Sequence, residues 1–233
     1  MRKKNELLNK DLREMSFFLG NNLDWVQGAG GNTSFKAKGI LWVKASGYWL
    51  SDAKKNIFVP LDRQMVLDKI SSEQEDLSSS QLFKETYQDL MPSIETTLHA
   101  LMPHKFVAHI HSANVISHAV LKNCKQILKD KLDNFKWLWV PYVRPGLPLT
   151  KKLNSENVSD FDVIILANHG LIIGGDSKEA VLGLLNEVEK KLSRPAREKF
   201  IKTDLKKIVE LIDNLDYKLP KYDFCHSLAK DNL

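Results

Sequence analysis

In the segment FVAHIHS, His109 and His111 are separated by one residue, and a third histidine, His169, interrupts the apolar run VIILANHGLIIGG. A strand sends alternate side chains to the same face, so His109 and His111 present two imidazoles toward one point. A third imidazole from another strand end completes a set of nitrogen ligands with one coordination position left open. That is the pattern of a catalytic rather than a structural zinc. A polar Asn168-His169 pair inside a buried strand-turn-strand is costly unless a metal or a function requires it. The expected chemistry is that of a metal-bound small molecule.

Other polar residues read in two ways. Glu95 opens a predicted helix that carries His99 one turn on; it complements the helix dipole, or acts near the histidines as general base or extra ligand. Gly28, Gly30 and Gly31, followed by Asn32, do not fit the dinucleotide fingerprint, and a strand rather than a helix follows them. They form either a tight turn or a nest of backbone N–H groups suited to an oxyanion. Ser46-Gly47, ending ILWVKASG, carries the same two readings. His99 and His118 fall on predicted helices and His104 in a turn after Pro103, positions that suit packed or solvated side chains. His226 lies in the C-terminal tail with no identifiable partner.

The elements that must position these groups follow from periodicity. An opening helix covers residues 1–20, with Leu7, Leu8, Leu12, Met15 and Phe18 at helical spacing. TSFKAK, ILWVKAS and NIFVPLD read as strands in antiparallel hairpins. The polar stretch 71–81 reads as a mobile loop or insertion. Ser93 is the expected N-cap of a helix that turns Leu98 and Leu101 inward. FVAHIHS is a strand, residues 113–121 a helix, and KWLWVPYVRPG a strand ending in a turn. From Ser177 a helix carries Ala180, Val181, Leu184, Leu185 and Val188 on one face, and another is expected over 198–215. The sum is an α/β fold: a single-domain, three-layer α/β/α sandwich with a central, mostly antiparallel sheet. One domain spans 1–233, with its core at about 11–215 and a tail at 216–233.

Composition narrows the class. At 233 residues, 43% hydrophobic and 27% charged, the chain can bury a core, which excludes wholesale disorder. No apolar run reaches bilayer-spanning length. The charged N-terminus lacks the apolar stretch of a signal peptide, and Cys124 and Cys225 form no redox or metal motif, so a cytoplasmic protein is expected. The net charge of +5 comes from dispersed lysines, which argues against nucleic acid as a partner.

The ordered motifs GAGGNTS, KASG, PSIETTLHA, HIH and NHGLI resemble the class II aldolase/adducin family, which includes the fuculose- and rhamnulose-phosphate aldolases. The similarity runs from about Asp11 to Leu192. PSIETTLHALMPHKFVAHIHSANVI is most similar to the aldolase portion of longer proteins fused to a short-chain dehydrogenase. The resemblance implies one zinc per subunit held by His109, His111 and His169, with Glu95 as catalytic acid/base. It implies a substrate-phosphate site at Gly31, Asn32, Ser46, Gly47 and Ser93. Tyr142 is the implied proton donor to a neighbouring subunit's site, in a homotetramer without membrane or nucleic-acid partners. The implied activity is retro-aldol cleavage of a ketose or ketose phosphate through a metal-stabilised enediolate. A sugar-phosphate 4-epimerase or a dehydratase uses the same site, and a non-catalytic, adducin-like interaction module is the alternative of another class. Two departures bear on the phosphate: Ile94 stands where the sugar-phosphate aldolases tend to have a second serine, and Lys44-Ala45 stands where Thr-Pro is usual. Lys44 either brings charge to the anion pocket or faces solvent.

Overall fold

The computed structural model describes residues 10–195. The first half of the opening helix, the helix expected over 198–215, Cys225 and His226 lie outside the described residues. The elements through Ser193 form one compact unit. In chain order these are α1 (Lys10–Gly20), β1 (Asn32–Ala37), β2 (Ile40–Lys44), β3 (Phe58–Asp62), α2 (Arg63–Ser71), α3 (Lys84–Tyr87) and α4 (Thr96–Leu101). Then follow β4 (Phe106–Ile110), α5 (Ala113–Ala119), α6 (Cys124–Lys131), β5 (Trp137–Val140), α7 (Leu147–Asn154), β6 (Val163–Leu166), β7 (Gly170–Gly175) and α8 (Lys178–Leu192).

The seven strands lie in the order β3-β2-β1-β4-β7-β6-β5. Every neighbouring pair is antiparallel except β5 with β6. Helices cover both faces, giving the α/β/α sandwich that the sequence implies. On one side α8 packs on β7 and β4, with α1 and α5 against it. On the other, α4 packs on α7 and α2.

Strand parity explains which face receives the histidines. Along β4, Phe106, Ala108 and Ile110 enter the larger apolar cluster, with Val115, Val181 and Leu185. Val107 enters the second cluster, with Leu98, Leu149, Leu153 and Ile172. His109 has the parity of Val107, so its ring lies on the face of α4, the helix that Glu95 leads into. At about 25 cal/mol per Å² of apolar surface buried, these two clusters dominate the stability of the scaffold.

Side-chain caps fix several helix starts, each contributing about 1 kcal/mol. Ser177 Oγ accepts from Ala180 N at 3.1 Å, Ser112 Oγ from Val115 N at 3.1 Å, and Asp62 Oδ1 from Met65 N at 3.0 Å. The helix after Pro92 behaves differently. It starts at Thr96, with Glu95 at the N-cap position and no side-chain cap. Ser93 Oγ instead accepts from Glu95 N at 3.3 Å, forming a tight turn ahead of the helix. The helix thus starts two residues later than a Ser93 cap would place it, and the Glu95 side chain turns inward to His109 and His169. The polar stretch 71–81 is anchored: Leu77 and Ser80 are buried, and Gln81 bridges to Leu61 of β3.

Candidate metal centre

His109 is the fourth residue of β4, and His111 follows one residue beyond the strand end. The strand's alternation persists past its last ladder bond because His111 N donates to Trp25 O at 2.9 Å. Ser112, next in sequence, is fixed by Glu189 of α8, which also accepts from Asn114 Nδ2 at 2.8 Å. His169 sits in the turn between β6 and β7, where Leu166 pairs with Gly170. Asn168, with φ 51°, takes the left-handed conformation that turn requires, one of the few non-glycine residues suited to it. Gly170 allows β7 to approach β4: a Cβ there would lie 2.3 Å from Ile110 O.

The three rings converge. Their centroids are 5.1 Å apart for His109 and His111, 4.8 Å for His109 and His169, and 5.3 Å for His111 and His169. One nitrogen from each lies within 4.8 Å of the others. Glu95 enters the same space, its Oε1 3.3 Å from His109 Nε2 and 3.2 Å from His169 Nε2. Asn32 Nδ2 donates to the other carboxylate oxygen, Oε2, at 2.8 Å. Asn32 is in turn the ladder partner of His109.

These residues fit a divalent cation. His109 Nε2, His111 Nε2 and Glu95 Oε1 are buried with no hydrogen-bond partner. Each unpaired buried polar atom costs about 1–3 kcal/mol, and one cation would satisfy all of them together. Nitrogen and carboxylate donors suit zinc and its first-row neighbours. His109 Nδ1 lies 3.1 Å from Leu171 O; donation to that carbonyl leaves Nε2 with its lone pair toward the centre.

Burial alone would push the Glu95 carboxyl up, but the imidazoles of His109 and His169 outweigh it and hold the group well below the usual carboxylate range. For His109, burial opposes charging, yet the Glu95 carboxylate and the Leu171 carbonyl raise its pKa. His111 is pushed down to about 4 by burial and by the charges of His109 and His169. Glu95 is therefore ionised and His111 neutral, and a cation bound here would displace any proton from His109 Nε2, since an imidazole must be neutral to ligate.

The remaining candidates lie on the loops around this centre. Gly31 has φ 67°, and a Cβ there would lie 3.1 Å from His109 O, so the Gly-rich loop packs directly on the histidine strand. Ser46 N donates to Met91 O at 2.9 Å, and Ala45 bridges to Pro92, which brings Ser46 and Gly47 beside the segment holding Ser93. Asn32 spends its side-chain amide on Glu95 rather than on an anion site. Tyr142, 60% exposed, is on the loop after β5 and outside the histidine cluster. A cavity of about 480 Å³ is lined by Ser93, Ile94, Thr97, Arg144, Gly146 and Leu147 among others. No histidine lines it, so the converging rings rather than this cavity define the chemical centre.

Lys44 does not face solvent. At 2% exposure it is buried, its Nζ donating to Ala29 O at 2.9 Å and Tyr48 O at 2.6 Å. Burial lowers its pKa to about 8 against the opposing pull of Glu95. The signal was present in ILWVK, where apolar residues occupy both faces of the strand and leave no wet side for the lysine. Two further histidines are structural: His99 is fully buried with Nδ1 2.8 Å from Ser34 Oγ, and His104 Nε2 pairs with Asp162 Oδ1 at 2.9 Å.

The sequence profile of the family described as Class II Aldolase and Adducin N-terminal domain matches residues 12–193. A protein of Bacillus subtilis (strain 168), named Uncharacterized oxidoreductase YuxG, is 31% identical over 202 residues, covering 77% of this chain and 29% of that protein. The chain thus spans less than a third of that relative's length. Among solved structures, the N-terminal class II aldolase domain of a conserved protein from Thermoplasma acidophilum superposes with a TM-score of 0.68 at 27% identity, over 78% of this chain and 90% of that one. The L-fuculose-1-phosphate aldolase from Thermus thermophilus superposes with a TM-score of 0.52 at 13% identity, over 79% and 93% of the two chains, a likeness of fold.

Proposed function

The chain belongs to the class II aldolase and adducin family, and from that premise we propose that it is a zinc-dependent aldolase cleaving a ketose or ketose phosphate by a retro-aldol reaction. The observation that carries the reading is the convergence of His109, His111 and His169 on the ionised carboxylate of Glu95, with unpaired donors from both residue types facing one point. A non-catalytic interaction module would gain nothing from such a cluster.

In this reading the three histidines hold the cation. When bound, it supplies Lewis acidity that favours negative charge on the substrate's oxygens as the carbon–carbon bond opens. Glu95 handles the proton at carbon: in the condensation direction its carboxylate removes that proton, and in the cleavage direction it takes up a proton from water and delivers it to the carbon left by the broken bond. Asn32 keeps the carboxylate turned toward the reacting carbon by occupying its second oxygen. In the condensation direction Tyr142 donates its phenolic proton to the aldehyde oxygen as it becomes a hydroxyl, and in cleavage the resulting phenolate takes that proton back. The exposure of Tyr142 suits action at the site of a neighbouring copy, as in a cytoplasmic homotetramer. The backbone of Gly31 and Asn32, together with Ser46, Gly47 and Ser93, receives the phosphate of a phosphorylated substrate.

Zinc-loaded protein incubated with a panel of ketoses and ketose phosphates tests this proposal. Release of an aldehyde and a three-carbon ketone from at least one member is expected. Zinc-replete protein that cleaves none of them would refute the assignment, and an epimerised or dehydrated product would reassign the same residues to those reactions.

A further inference from the structure

A carboxylate is costly to remove from water, so a glutamate enclosed in the fold calls for a specific use. Glu189, on the inward side of α8, is buried. Both of its oxygens are taken up by neutral groups: Ser112 Oγ donates to Oε1, and Asn114 Nδ2 donates to Oε2 at 2.8 Å. A leucine at this place would continue the apolar stripe of Leu185, Val188 and Leu192 without that penalty. The carboxylate is directed instead at the residues that follow His111.

His111 needs support that His109 does not. His109 is held inside the sheet, opposite Asn32 of β1 on one side and Ile172 of β7 on the other. β4 ends at Ile110, one residue short of His111, and the chain then turns into α5. Backbone bonds from His111 N to Trp25 O at 2.9 Å and from Ala113 N to Asp24 O at 2.8 Å attach this stretch to a loop. Glu189 attaches it to α8, a helix of 15 residues packed on β4 and β7. A carboxylate can only accept, so it also turns the Ser112 hydroxyl proton toward itself and leaves a lone pair for Val115 N, which Ser112 Oγ caps at 3.1 Å.

The His111 ring has little room to move. A Cβ on Gly30 would lie 3.0 Å from its Nδ1, and one on Gly170 3.3 Å from its Cδ2. Flanked by these two loops, the ring keeps Nε2 on the shared centre only while the backbone at 111–112 stays in place. We infer that Glu189 is a positioning residue for the metal centre: by holding Ser112 and Asn114, it fixes His111 as a nitrogen ligand. The inference rests on the proposed zinc site and not on the reaction carried out there.

Zinc affinity, measured by competition with a chromophoric chelator, tests it in the wild type, Glu189→Leu and Glu189→Gln. Glu189→Leu should bind zinc about 10–100-fold more weakly, the range expected when a partner of a ligand is lost. Glu189→Gln, whose carbonyl oxygen still accepts from Ser112, should stay within about threefold of the wild type, well inside that range. At saturating zinc, nitrogen NMR of histidine-labelled protein separates metal-bound from free ring nitrogens, with His111 assigned from His111→Ala. The His111 signal should be metal-bound in the wild type and free in Glu189→Leu, with His109 and His169 still bound. A merely structural glutamate would lower the melting temperature and leave both readouts in place. Unchanged zinc affinity in Glu189→Leu overturns the inference, and if that variant does not fold, unchanged affinity in Ser112→Ala does the same. A Glu189→Gln as weak as Glu189→Leu also contradicts it. A wild type that binds no zinc refutes the metal centre and this inference together. One that binds zinc and cleaves no ketose refutes the aldolase reading alone.

Discussion

Asn32 and Glu95 are joined across 63 positions of sequence by a 2.8 Å hydrogen bond from the amide Nδ2 to the carboxylate Oε2. That bond leaves Oε1 as the oxygen facing His109 and His169. Because Asn32 also pairs with His109 across the β1–β4 ladder, one register fixes the proposed base and a proposed ligand together. A hydrogen bond to a charged group contributes about 1.5–3 kcal/mol, and each 1.36 kcal/mol is tenfold in rate. Asn32→Ala should therefore lower kcat by roughly 10–100-fold with zinc retained. An unchanged kcat would remove Asn32 from the orientation of Glu95.

Glu95→Gln tests the base directly. The amide is nearly isosteric and still bonds neighbours, so fold and zinc content should persist while turnover falls by about 10²–10⁴-fold. Metal analysis beside steady-state rates separates this from loss of the ion, and a variant retaining full turnover would exclude Glu95 as the proton carrier.

His111→Ala should abolish both properties. Removing one of three nitrogen ligands is expected to weaken zinc binding by more than about 100-fold, since even partners of the ligands are worth 10–100-fold. A variant that kept stoichiometric zinc would show that the cation is held elsewhere.

Lys36 makes stability depend on pH. It is buried with Nζ donating to His104 O at 2.7 Å, and burial, with a smaller push from Arg63, lowers its pKa to about 7. The folded chain thus releases this proton near pH 7, whereas the unfolded chain keeps it until about 10.5. Between those values the unfolded state binds more protons, so stability rises with pH, by at most about 1.4 kcal/mol per unit from this group. Lys44 adds a slope of the same sign above about 8. Urea midpoints at pH 7 and pH 9 should separate in the wild type, and Lys36→Met should reduce the separation. An identical separation in the variant contradicts the assignment.

The parts of the site legible in the sequence were those whose polarity broke an apolar pattern. His109, His111 and His169 stood out because they interrupt otherwise hydrophobic segments, and alternation alone placed two of them on one face. The helices α2, α3, α6 and α7 were not read. Cys124, Leu128 and Leu132 mark α6 by their four-residue spacing, but the lysines between them look like a solvated loop. For α7, Pro148 near its start looks like a breaker although it suits the first turn. Long-range commitments were equally hidden. Asn32 reads as a turn residue until β1 pairs with β4, and Lys44 reads either as charge for an anion pocket or as a solvent-facing side chain until its bonds to Ala29 O and Tyr48 O show it buried. Sequence periodicity reports which face a residue takes, not which distant atom meets it there.

Whether three imidazoles and one carboxylate form a working metal centre is tested most directly by removing the metal and returning it. The protein is stripped with a chelator, its fold is confirmed, and zinc is titrated back while aldehyde release from a cleaved ketose is followed. Activity should vanish on stripping and return linearly, reaching its plateau at one zinc per chain. Full activity in the metal-free protein would contradict the account.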